Sequence, residues 1–144
     1  MSGARSTMSE QMQIGEVAER TGLSLRTIRY YGEMGLVPPS ARSGGGFRLY
    51  SESDVARFRL IMRMKPLDFS LDEMKDVLDL FDHLSRTQRM TGAHDALVER
   101  LATYRVAVKN RVHAIREQLE VAEEFAEHLE AQIALHKHQA VTEL

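Results

Sequence analysis

Four arginines in two clusters are the side chains best placed to do chemistry: Arg26 and Arg29 beside Tyr30, and Arg42 and Arg48 on either side of a glycine run. A guanidinium grips a phosphate or the edge of a guanine through two parallel hydrogen bonds. A tyrosine adds a ring for sugar or thymine-methyl contact and a hydroxyl that reaches phosphate. Catalytic chemistry has no comparable constellation. There is no nucleophile elbow, phosphate loop or paired carboxylate set, and the two S-x-x-[DE] strings, at Ser51 and Ser70, read as helix caps. No enzyme is expected.

The elements that must position these residues are written between Ile14 and Tyr50, IGEVAERTGLSLRTIRYYGEMGLVPPSARSGGGFRLY. Gly15 to Arg20 reads as a first helix with Val17 and Ala18 inward, and Gly22 turns the chain. Ser24 supplies an N-cap oxygen for a second helix running to about Met34, with Gly35 as its left-handed cap. At 100° per residue, Ile28 faces the core flanked by Leu25 and Tyr31, while Arg26, Thr27, Arg29 and Tyr30 face outward. Pro38 and Pro39 forbid further helix. Arg42 to Tyr50 then reads as a hairpin turned by its glycines, with Phe47 and Leu49 on one face and Arg48 and Tyr50 on the other, free to lie along a phosphate backbone. Two helices announced by capping boxes follow. One carries Val55, Phe58, Leu60 and Ile61 inward, the other Leu71, Met74, Val77, Leu78 and Phe81, with Pro66 between them. Met62, Met64 and Met74 are assigned to packing.

The second half differs in kind. From Ala93 to Leu144 there is no glycine or proline, and apolar positions recur at alternating intervals of three and four residues. This heptad seam runs Val98, Leu101, Arg105, Val108, Val112, Ile115, Leu119, Ala122, Ala126, Leu129, Ile133 and His136, interrupted only by Arg105 and His136. Alone, a helix of about 45 residues would leave one apolar stripe wet over roughly 65 Å. Pairing with a second copy is therefore expected, in parallel or antiparallel orientation. A fold-back hairpin near Glu120 to Glu127 is disfavoured because no turn residue marks it.

The 144 residues allow one small globular domain plus an extension, without a separate large ligand-binding domain. The six per cent aromatic content and absence of tryptophan argue against a large aromatic-lined pocket. A net charge of −2 conceals a split: residues 13–65 hold nine Lys or Arg against five Asp or Glu (+4), and residues 66–144 hold nine against fifteen (−6). The absence of cysteine excludes sensing of soft metals or redox state through thiolates. The six histidines, at 83, 94, 113, 128, 136 and 138, lack metal-site spacing, so neither metal nor cofactor is expected. With no signal peptide or transmembrane run, a cytoplasmic protein without membrane contact is expected. The first twelve residues read as a tail in which Met8 and Met12 are alternative starts.

The strings IGEVAERTG, TIRYY, GLVPP, FRLY, SESDVARF and FSLDEMKDVL, in this order and spacing, make Ile14 to about Leu80 resemble the N-terminal domain of the MerR family, the mercury-resistance type of transcription regulator. Three departures stand out. Gly32 replaces a helix-favouring residue, at a cost of about 1 kcal/mol in a helix interior; Phe47 replaces a tyrosine, and Asp68 a glycine. The resemblance implies an antiparallel coiled coil holding two winged domains apart, an inverted-repeat promoter, and activation by distorting an overlong spacer so that RNA polymerase engages it.

The expected fold class is thus mostly α: a winged helix-turn-helix domain with a small β-hairpin wing, then a long coiled-coil dimerisation helix. The expected layout is a tail over 1–12, the DNA-binding domain over 13–83, a linker over 84–93, the coiled-coil helix over 94–138 and a tail over 139–144. DNA contacts are expected from Ser24, Arg26, Thr27, Arg29, Tyr30 and Tyr31 on the helix and from Arg42, Phe47, Arg48 and Tyr50 on the wing. Competing readings are an effector-independent repressor and a coiled-coil adaptor that keeps a winged scaffold. A small-molecule pocket near Phe81, His83 and Tyr104 is a further candidate, its ligand left open.

Overall fold

The computed structural model describes residues 11–86 and 92–142. Its elements are β1 (Met12–Gln13), α1 (Ile14–Thr21), α2 (Leu25–Glu33), β2 (Ala41–Arg42), β3 (Arg48–Tyr50), α3 (Glu52–Met64), a 3-10 turn (Lys65–Leu67), α4 (Leu71–Arg86) and α5 (Gly92–Thr142). The chain divides into two compact units, residues 1–101 and 102–144.

In the first unit, the helix boundaries follow from local chemistry. The Ser24 hydroxyl accepts the Thr27 amide at 3.1 Å, satisfying one of the donors that a helix start leaves free. After α2 the chain reverses at Gly35, whose φ of +80° an L side chain rarely adopts; the Leu36 amide then donates back to the Tyr31 carbonyl at 2.9 Å. That reversal drives Leu36 and Val37 into the core. Reciprocal capping boxes open α3, between Ser51 and Asp54, and α4, between Ser70 and Glu73. Asp68 takes up a left-handed conformation, φ 61°, at the position where the sequence departs from glycine. Asp and Asn tolerate that region better than other side chains do.

The three strands form an antiparallel sheet in the order β1-β3-β2, in which Met12 faces Tyr50 and Arg42 faces Arg48. Gly46, φ +82°, closes the turn between β2 and β3 with its amide on the Ser43 carbonyl. The core brings Val17, Ile28, Tyr31, Tyr50, Val55 and Phe58 together from four elements, and the Tyr50 and Phe58 rings lie 6.1 Å apart. Ion pairs tie its outside together: Arg20 with Glu16 and Glu52, Arg57 with Asp82, and Arg100 with Asp76.

Several expectations need correction. Met12, assigned to the tail, begins β1 and is buried; the rest of that tail, residues 1–10, lies outside the described residues. Leu80, not Phe81, completes the inward face of α4, and Phe81 is exposed. Leu25 and Met62 are exposed as well, whereas Met64 and Met74 are packed. The linker expected over 84–93 overlaps both α4 and α5, and residues 87–91 lie outside the described residues. Helix α5 continues to Thr142, past the start of the expected tail, and has no break at 120–127.

In the second unit, every described side chain from Lys109 to Gln139 is exposed. Backbone hydrogen bonding within a helix is satisfied without neighbours, so the regular structure here does not imply a core. Among the described residues, no helix is long and apolar enough to cross a membrane.

Candidate nucleic-acid interface

Helix α2 is held from behind by fully buried Ile28 and nearly buried Tyr31, leaving its outer face to Ser24, Arg26, Arg29 and Tyr30, all exposed. Thr27 is half-buried, its hydroxyl 2.8 Å from that of Ser24, so two of the expected contact residues share one hydrogen bond at the head of the helix. The Tyr30 and Tyr31 rings lie 5.5 Å apart. Tyr31, expected among the DNA contacts, is only 4% exposed, and burial, followed by the neighbouring Tyr30, pushes its phenol above the usual value. It supports Tyr30 from beneath.

The wing shows the larger correction. Arg48 and Tyr50 share a face of β3 by strand alternation, as expected, but that face is not free along its length. At the Arg48 end it is half-buried; at Tyr50 it is closed completely against Phe58. The strand runs from a solvated tip into the core, and a two-residue repeat carries no information about where along the strand the core begins. Phe47, by contrast, is 62% exposed.

Arg42 lies directly across the ribbon from Arg48. Directly opposed residues on an antiparallel pair share a face, and like charges there repel. Arg42 also donates to the Gly46 carbonyl at 3.2 Å, which ties it to the turn. Among the described residues, Arg26, Arg29, Arg42 and Arg48 enter no ion pair with a carboxylate, whereas Arg20 and Arg57 are tied to Glu16, Glu52 and Asp82. These six arginines therefore sort into two sets: two that fasten helices together and four without a carboxylate partner among the described residues. Sequence spacing did not separate these sets, because Arg20 and Arg57 meet partners 32 and 25 residues away.

The expected dimerisation seam lies along α5. Val98, Val112, Ile115, Leu119, Leu129 and Ile133 are exposed, as are Ala122 and Ala126, while Leu101 and Val108 are half-buried. Val106, Val121, Phe125 and Leu135 are also exposed and lie off the seam, which the heptad pattern did not anticipate. Of the proposed small-molecule pocket, Phe81 and His83 stand exposed on α4, and Tyr104 belongs to the other unit. Among the described residues, no group of three His, Cys, Asp or Glu is arranged to hold a metal ion.

Known proteins agree with this layout. The profile of the MerR HTH family regulatory proteins matches residues 12–80. The HTH-type transcriptional regulator HmrR of Rhizobium leguminosarum bv. viciae is 35% identical over 111 residues, 72% of this chain and 85% of that protein. The ZntR homolog of Haemophilus influenzae, also an HTH-type transcriptional regulator, is 44% identical over 69 residues, 48% of this chain and 51% of that one. A crystal structure from Listeria monocytogenes, described as a MerR family transcriptional regulator, matches with a TM-score of 0.59 at 28% identity, covering 78% of this chain and 80% of that one. HiNmlR, a MerR family regulator lacking the sensor domain and bound to promoter DNA, shares the fold with a TM-score of 0.57 at 22% identity, over 78% and 85% of the two chains. All four are named as regulators, three of them as transcriptional regulators. The chain belongs to the MerR family of DNA-binding, helix-turn-helix transcriptional regulators.

Proposed function

We propose that two copies of this chain bind a pseudo-palindromic promoter site, each placing Arg26, Thr27, Arg29 and Tyr30 in the major groove and laying Arg42, Phe47 and Arg48 along the flanking phosphate backbone. Ser24 and Tyr31 hold the helix at its head and from beneath. Tyr50 is withdrawn from the contact set because its side chain is buried. The observation that carries this reading is the opposed Arg42 and Arg48 pair: two guanidiniums held across a narrow ribbon, without carboxylate partners among the described residues, repel until an anion lies between them. HiNmlR, of like fold, is bound to promoter DNA, in keeping with this reading.

Pairing of the copies through α5 follows from charge as well as from the seam. Residues 100–116 contain five Lys or Arg and no Asp or Glu; residues 117–130 contain six Glu and no Lys or Arg. A parallel pair sets like against like in both blocks, whereas an antiparallel pair sets cations against anions twice. The seam is itself symmetric about residue 117, so an antiparallel partner aligns Val98 with His136, Arg105 with Leu129, Val112 with Ala122 and Ile115 with Leu119. The two interruptions then never face one another, and Val112 meets a small residue. Two-fold symmetry of the protein implies an inverted repeat whose half-site spacing the paired helices set, and the untouched centre would be read by its deformability. Distortion of that centre brings RNA polymerase into register on a cytoplasmic promoter.

Affinity selection of fragmented genomic DNA, run beside an Arg26→Ala/Tyr30→Ala variant, tests the reading. One inverted-repeat site is expected from the wild type and none from the variant. A folded dimer that enriches no sequence would instead favour a protein-interaction adaptor.

A further inference from the structure

Tyr50 holds an unexplained polar atom. The side chain has no exposed surface, and its hydroxyl, less than 1 Å² of it accessible, has no hydrogen-bond partner in the described structure. Packing accounts for the ring, which lies 6.1 Å from that of Phe58 at 55° and opposite Met12 across the sheet. It does not account for the oxygen, since a phenylalanine would fill the same place without burying an unmet hydroxyl.

Three charged groups act on that hydroxyl, Arg48 from the same strand most strongly, then Asp54 from the start of α3 and Arg29 from α2. Burial raises the Tyr50 phenol above its usual value, with Arg48 pulling it back, so the neutral phenol is the form present at neutral pH. Asp54 is already engaged, accepting the Ser51 amide at 2.9 Å and the Ser40 hydroxyl. The two guanidiniums are not ion-paired among the described residues, and a guanidinium only donates, so the phenol oxygen can serve it only as acceptor. Arg29 is exposed on the helix, whereas Arg48 is half-buried and two residues away on the same strand face. Five donors in a rigid plane let Arg48 use one edge toward an oxygen behind it while the other grips a phosphate in front.

We infer that the Tyr50 hydroxyl is an acceptor seat that aims the Arg48 guanidinium at the DNA backbone, which makes Tyr50 a positioning residue of the wing. The inference rests on the DNA reading above. It explains why a tyrosine sits in a core position and why Arg48 can stay next to Arg42: the hydroxyl fixes one guanidinium of the repelling pair while a phosphate neutralises both.

The test is a double-mutant cycle of Tyr50→Phe and Arg48→Ala, with affinity measured on the selected DNA site at several salt concentrations and thermal unfolding recorded for each protein. Tyr50→Phe is expected to leave the Tm equal or higher, to weaken binding by about tenfold, and to have no further effect once Arg48 is alanine. Wild-type affinity in Tyr50→Phe overturns the inference, as does an equal loss in both Arg48 backgrounds, which is what a purely structural role produces. If the wild-type protein itself selects no DNA, the DNA reading fails, and the inference with it. If the wild type binds and the cycle is additive, only the role of the hydroxyl is lost.

Discussion

The two units of this chain use the same helical backbone to opposite ends. In the first, short elements are fastened by caps, by glycines with positive φ and by ion pairs around a core of fully buried Val17, Ile28, Tyr50 and Phe58. In the second, a single helix carries a regular apolar seam and buries nothing from Lys109 to Gln139. The first is stable by virtue of contacts it makes with itself. The second leaves its apolar seam uncovered among the described residues, and one amphipathic helix gains little from solvent-exposed apolar groups. Regular structure and self-sufficiency are thus different properties, and charge is used differently as well: Arg20 and Arg57 in the first unit are ion-paired between helices, whereas residues 100–116 and 117–130 form a basic and an acidic block.

The sharpest way to break the comparison is to remove the core from one unit and the seam from the other. Phe58→Ala empties a site with no exposed surface and should cost about 3–5 kcal/mol, read by denaturant unfolding as collapse of the winged unit. Leu119→Asp places a carboxylate at the middle of the seam, where the side chain is 56% exposed in the single chain. It should convert dimer to monomer by sedimentation equilibrium, weakening self-association by well over about tenfold, while leaving the circular dichroism of the winged unit intact. If Leu119→Asp unfolded the first unit instead, the division between the units would be wrong.

Smaller effects sharpen the account of how the first unit is held. Ser51→Ala removes the cap of α3 and one side of a reciprocal box, at an expected cost of about 1 kcal/mol in thermal or denaturant unfolding. The smallest effect is a pH dependence. The phenols of Tyr31 and Tyr50 are raised by burial above the value of 10.0 they have when unfolded. The stability linked to them is therefore fully present below pH 10 and is lost as pH rises through their folded-state values, since the unfolded chain ionises first. Tyr50→Phe should flatten the alkaline limb of the stability curve and leave stability at neutral pH equal or higher; a loss at pH 7 would point to a different cause.

Much of this was legible from residue types with local meaning. Ser24, Ser51 and Ser70 mark helix starts, Gly35 marks a helix end, and the glycines after Ser43 mark a hairpin, because caps and turns are decided within four residues. What was not legible depends on distant partners. Met12 becomes a strand only because Tyr50, 38 residues on, offers a free edge. Tyr50 is buried while Phe47 stays exposed because the core boundary crosses the wing between them. Leu80 and Phe81 are neighbours on α4, and only the packing of α4 against the rest of the core decides which turns inward. Arg20 and Arg57 are indistinguishable from the other cations in a charge count, and only carboxylates distant in sequence make them fasteners.

Hydroxyl-radical footprinting of the wild type and an Arg42→Ala/Arg48→Ala variant on the selected site tests the central claim most directly, because it reads shielding of the sugar-phosphate backbone nucleotide by nucleotide. The wild type should protect two symmetric blocks of backbone on either side of an open centre. The variant should lose the outer edges of both blocks while keeping the major-groove contacts of α2 between them. Protection of a single block, or loss of protection in the middle while the edges persist, would contradict a two-fold protein that reads DNA with a helix and grips it with a wing.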